Sequence, residues 1–192
     1  MSSSLPTQEP IVYRVNIENE ISFVNDSWNR VASEFGNLHL LDSKIIGSPL
    51  DSFISDRATR QLYYDILKIV RCGKSIEFHY RCDLPQARRT MKMKIAARRD
   101  GEVEFTSSVV SVEPRSYQKL FDEKATRADD LLNVCGWCKK VQVGQDVWLE
   151  VEDAVRALGI FEADGIPEIS HGICAACYGP WIEELKLHKG QG

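Results

Sequence analysis

Two short stretches of this chain hold residues spaced for chemistry: Cys135-Gly136-Trp137-Cys138 and Ser170-His171-Gly172-Ile173-Cys174-Ala175-Ala176-Cys177. In a Cys-x-x-Cys pair the two intervening residues turn the backbone so that both sulfurs face one point, and two such pairs supply a tetrahedral thiolate site. The chemistry to expect is metal binding, with Cys135, Cys138, Cys174 and Cys177 as ligands and zinc in a structural role. His171 competes for a place. It either replaces one thiolate or hydrogen-bonds a ligand from outside the set. Gly136 and Gly172 would let the backbone come close and turn N–H groups toward the sulfurs.

Thiol–disulfide chemistry is the rival reading, with Cys135 and Cys138 as a redox enzyme's dithiol or a redox sensor. A reactive dithiol needs its first cysteine exposed at a helix N-terminus after a buried strand, where the helix dipole lowers the thiol pKa. Here the expected helix precedes the pair and a hairpin follows it, and the second pair has no role in such an enzyme. A second rival is a zinc-ribbon regulator bound to nucleic acid. Phosphate contacts need clustered Lys and Arg. Around the cysteines, Lys139, Lys140 and Arg156 are outnumbered by Asp146, Glu150, Glu152, Asp153, Glu162, Asp164 and Glu168. Nucleic acid is therefore not the expected partner.

The whole chain has 192 residues, 43% of them hydrophobic, with a net charge of -4 and a pI near 5.6. That suits one ordinary domain and a small second one, with no general attraction to nucleic acid or anionic membranes. The N-terminus lacks the basic start and apolar core of a signal peptide, and no apolar run is long enough to span a bilayer. A cytoplasmic location follows as the expectation, where thiols stay reduced and paired cysteines serve metals more often than disulfides.

The elements that must position the cysteines begin after a flexible tail over 1–10. Ile11–Val15 and Ile21–Asn25 read as paired strands. Asp26 caps a short helix ending at Gly36, and Ser55 or Asp56 caps a longer one through Arg71, with Gly73 as its stop. Three strands follow, alternating through Ile76, Phe78 and Tyr80, through Met91, Met93 and Ile95, and through Val103 and Phe105, with Asp100-Gly101 as a tight turn. The fold class is α+β: a five-stranded antiparallel sheet with helices on one face.

Phe23-Val24-Asn25-Asp26-Ser27-Trp28 leading into a helix, Ile46-Gly47-Ser48-Pro49-Leu50 before the long helix, and the strand triplet after it resemble a PAS sensory domain over roughly residues 11–113. The resemblance implies a sensory domain over 11–115, a coupling helix over 116–133, and a partner protein or homodimer joined through both. The span 134–192 reads as a zinc-ribbon-like module with a C-terminal helix. Its pattern looks like an element found after PAS domains in bacterial signalling proteins, where a proline commonly follows the third cysteine; here that residue is Ala175. Trp137, Trp148, Leu149, Val155, Leu158, Ile160, Phe161, Ile166 and Ile173 are its obvious core, too little to fold alone without a metal.

In the sensory half, Trp28, Phe78, Tyr80, Met93 and Phe105 could line a small apolar pocket, and no residue pattern names a ligand for it. His79 falls on the outer face of its strand. Cys72 and Cys82 read as small buried hydrophobes, and Arg88-Arg89, Lys92, Lys94 and Arg98-Arg99 as a solvated face. No catalytic signature is legible. The expectation is a sensor or adaptor acting through protein–protein contacts.

Overall fold

The computed structural model describes residues 9–160 and 165–189, with side chains through Glu183. Most of the expected tail over 1–10 lies outside the described residues, as do Phe161, Glu162 and Asp164. The chain forms two compact units. One runs to His79 and resumes at Met91–Ser111; the other takes Tyr80–Thr90 and the residues from Val112 onward. The hairpin end 80–90, expected within the sensory half, thus groups with the cysteine-bearing half.

In the first unit, β1 (Ile11–Val15) and β2 (Ile21–Val24) form a hairpin whose turn is fixed by Asn16: its Oδ1 accepts the N–H groups of Glu18 at 3.0 Å and Glu20 at 2.9 Å. Helices α1 (Asp26–Glu34), α2 (Asp42–Ile45) and α3 (Arg57–Arg71) precede β3 (Ile76–Arg81), β4 (Ala87–Ala97) and β5 (Val103–Pro114). The strands make one antiparallel sheet in the order β2-β1-β5-β4-β3. Period-2 burial runs through Met91, Met93 and Ile95 on β4 and through Val103 and Phe105 on β5. Leu62, Ile66, Leu67 and Val70 are the buried stripe of α3, each worth roughly 1.5–3 kcal/mol in burial. The Asp100-Gly101 turn holds, with only Gly101 at positive φ.

The cap of α1 is Asn25 and not Asp26. Asn25 Oδ1 accepts from Trp28 N–H and from Val12 N–H, both at 3.1 Å, and its Nδ2 donates to the Pro10 carbonyl at 2.9 Å. One amide thus starts a helix and pins strand β1, which a carboxylate could not do because it has no N–H to donate.

The second unit departs from expectation. Residues 116–133 are not a helix. One 3-10 turn, Lys119–Phe121, is followed by strand β6 (Arg127–Cys135). Near the end of β6, Leu132 and Val134 are buried while Leu131 is 75% exposed, a period of two that local helix propensity had masked and that pairing with a distant strand selects. A sheet in the order β8-β7-β6-β9 results, from β7 (Val141–Gly144), β8 (Val147–Leu149) and β9 (Ile166–Gly172). Helices α4 (Val151–Ala157) and α5 (Ala175–Lys189) complete the unit. Nor is it a ribbon of two facing hairpins, because β6 and β9 run parallel and the second cysteine pair opens a helix. Its core is also larger than the sequence suggests, since Leu120, Leu132, Val134, Val141 and Val151 join Val155, Ile160 and Ile166; Leu158, counted as core, is 42% exposed.

Asp83, whose side chain is 0% exposed, is held by Arg81 and by Arg115 Nη1 at 3.0 Å. Arg81 also reaches Glu150 at 2.7 Å, and Arg88 reaches Glu152 at 2.9 Å. The cluster binds the hairpin end to the start of α4. Arg88 is therefore an ion-pair partner and not a purely solvated residue; Lys92 and Arg98 likewise pair with Glu77 and Glu104. Removing a buried carboxylate strands its cations. Asp83→Ala is expected to cost about 3–5 kcal/mol and Asn25→Ala about 1–2 kcal/mol, both read by urea denaturation.

Candidate metal centre

The site begins with register. Parallel pairing of β6 with β9 sets Val134 opposite His171 and Cys135 opposite Gly172, so both strands deliver their cysteines at the same end of the sheet. Gly172 leaves little room there: a Cβ on it would lie 3.0 Å from Asn133 Oδ1, so that side chain would have to shift. Gly136 is less constrained, and its N–H donates to the Gly172 carbonyl at 2.8 Å.

The first arm is the turn from β6 to β7. Cys135 N–H donates to Lys140 O at 2.8 Å and Lys139 N–H to Cys135 O at 3.0 Å. Lys139 closes the turn at φ 61°, and its ammonium donates to the Gly136 carbonyl at 3.1 Å. The Trp137 carbonyl accepts the Arg81 N–H. The Trp137 ring packs edge-on against Trp181 of α5, with centroids 5.2 Å apart.

The second arm is the start of α5. The Cys174 carbonyl accepts the N–H groups of Cys177 at 3.0 Å and Tyr178 at 2.9 Å, which places Cys174 at the helix cap and Cys177 in the first turn. The positive end of the helix dipole favours thiolate there. Cys174 N–H also points at Cys135 Sγ, 3.4 Å away.

The ligand atoms of Cys135, Cys138, Cys174 and Cys177 all lie within 4.8 Å of one another, and the group could hold a metal ion. Cys135 and Cys174 are buried; Cys138 and Cys177 are half-buried. Without a cation Cys135, Cys138 and Cys177 share protons unevenly. Hydrogen bonds from Cys138 and Cys177 hold the Cys135 thiol far below the ordinary range, while Cys135 pushes Cys138 up to about 12 and pushes Cys177 up as well. A cation would take all four as thiolates. His171 is exposed and is not in the group.

The arrangement gives a dithiol enzyme little to work with. Cys135 ends a strand, is 0% exposed, and is followed by a hairpin. Cys72, expected buried, is exposed at the end of α3, and Cys82 is half-buried with Arg89 Nη2 donating to its sulfur at 3.0 Å. His79 is exposed.

In the first unit the ring of Tyr13 stands between two residues of the expected pocket. It stacks on Phe105 at 4.4 Å and meets Trp28 edge-on at 5.4 Å. Met93 is buried, and Phe78 and Tyr80 are half-buried. A shallow recess lies elsewhere in that unit, against Asp51, Arg60, Tyr63 and Tyr64. Sequence reading missed the Arg81–Asp83–Arg115 cluster. Arg115 stands 32 positions from Asp83, and no local pattern joins them.

No family model matches the chain, and no curated protein matches it. Among solved structures, a domain of an HTR-like protein from Haloarcula marismortui is similar at 14% identity and a TM-score of 0.33, over 53% of this chain and 98% of that one. Among the described residues, no helix is long and apolar enough to cross a membrane.

Replacing an enclosed ligand should separate site from surface. Cys135→Ser is expected to abolish stoichiometric metal and lower the melting temperature of the second unit, whereas Cys72→Ser leaves both unchanged, as read by metal analysis and thermal unfolding.

Proposed function

We propose that the chain is a cytoplasmic signal-transduction sensor or adaptor of the PAS type, acting through protein–protein contacts, with a structural zinc ion held by Cys135, Cys138, Cys174 and Cys177. One observation carries the reading above the rest. Four sulfurs from two arms, 36 to 42 positions apart across the arms, converge within 4.8 Å. An all-thiolate tetrahedral set with no open position is the donor chemistry of structural zinc rather than of a catalytic metal. The sensory part of the proposal draws on the sequence resemblance over 11–113 and on the element order, which is two strands, helices ending in a long one, then three strands.

In this reading the protein turns over no substrate, and its partner is a second copy or another protein meeting the sensory half. Contact through a helical linker is dropped, because that segment holds a single 3-10 turn and then enters β6. The acidic balance around the cysteines weighs against nucleic acid. Zinc contributes roughly 10–16 kcal/mol of binding free energy to a folded structural site, more than the roughly 5–15 kcal/mol net stability of a whole domain. Elemental analysis of freshly purified protein is therefore expected to give one zinc per chain. Chelation should expose the second unit to protease and leave the first resistant. Metal-free protein that stays protected throughout, or that reduces disulfides catalytically, would overturn the reading.

A further inference from the structure

The four thiols differ in access. Cys135 and Cys174 are 0% and 2% exposed, while Cys138 and Cys177 are half-buried, so each arm offers one enclosed sulfur and one that solvent reaches. Cys138 combines that access with a partner across the arms, since its Sγ lies 3.7 Å from Cys174 Sγ. Building on the metal reading above, we infer that the centre is a hydroperoxide-responsive latch in which Cys138 is oxidised first and Cys174 bridges to it, expelling the ion.

The chemistry balances with a hydroperoxide as the oxidant. The Cys138 thiolate attacks the O–O bond and keeps one oxygen as sulfenic acid, while the other oxygen leaves with the bond's electron pair and is protonated by water. The Cys174 thiolate then attacks the Cys138 sulfur. An S–S bond forms, the S–O bond breaks, and the oxygen departs as water after taking a proton. Two electrons have passed from the two sulfurs to the peroxide. An ion left with two of four donors loses its site.

The choice of sulfurs has a structural outcome. A bridge within either Cys-x-x-Cys pair would leave the arms joined by non-covalent contacts alone once the ion departs. The Cys138–Cys174 bond instead ties the β6–β7 turn to the start of α5, so the arms stay together and reduction with metal present restores the original state.

The test uses the full chain carrying Cys72→Ser, which removes the exposed thiol outside the centre. Hydrogen peroxide is added to the zinc-loaded protein, released metal is followed with a chromogenic chelator, and bridges are mapped in non-reduced digests. The expected result is metal release in step with the loss of two thiols per ion, a Cys138–Cys174 bridge, and recovery on adding dithiothreitol and zinc. A different predominant pairing, or metal retained while thiols are consumed, would overturn the inference. Metal content before oxidant tests the parent reading, and bridge mapping repeated on metal-free chain tests this one, so the two failures are distinguishable.

Discussion

The second unit depends on a parallel pairing between two strands far apart in sequence. β6 and β9 must lie side by side in one register, because a slip by one residue would turn Cys135 to the wrong face and carry Gly172 away from Asn133. Parallel strands need a long crossover, and β7, β8 and α4 supply it. Those elements then fill the core through Val141, Val151 and Val155. The crossover that makes the site geometrically possible also builds the hydrophobic body that holds it.

A second constraint is electrostatic. Asp83 is a carboxylate without solvent, tolerable only because two guanidinium groups neutralise it at hydrogen-bonding distance. Its partners extend the charge balance outward to Glu150 and Glu152, at the end of α4 where the helix dipole already favours negative charge. Glu150 occupies the cap position without capping through its side chain; its carboxylate goes to Arg81. Local helix stability is thus exchanged for a tie between segments distant in sequence.

Much of the first unit was legible, because its signals are local. Alternation marked β3 to β5, the 3.6-residue stripe marked α3, and Gly73 marked its stop. The four thiols were legible for a similar reason, since Cys-x-x-Cys spacing is itself a statement about geometry. What escaped was decided at long range. Ser116–Leu132 has enough helix formers to look helical, and only β9 makes part of it a strand. β9 itself, with Pro167 and Gly172 inside it, has a weak strand pattern and gains its structure from β6. The Arg115–Asp83 pair was invisible because charged residues advertise exposure unless a partner is known.

The division of the four sulfurs between two arms also sets an order of events during synthesis. Cys135 leaves the ribosome 39 positions ahead of Cys174, which at roughly 5–20 residues per second is an interval of seconds. Throughout it the nascent chain offers only half a chelate, while β6 still lacks β9 and exposes one edge. An ion caught early would have only two donors. The four sulfurs come together only when the last crossover closes, so completion of the thiol cluster waits for the C-terminal arm.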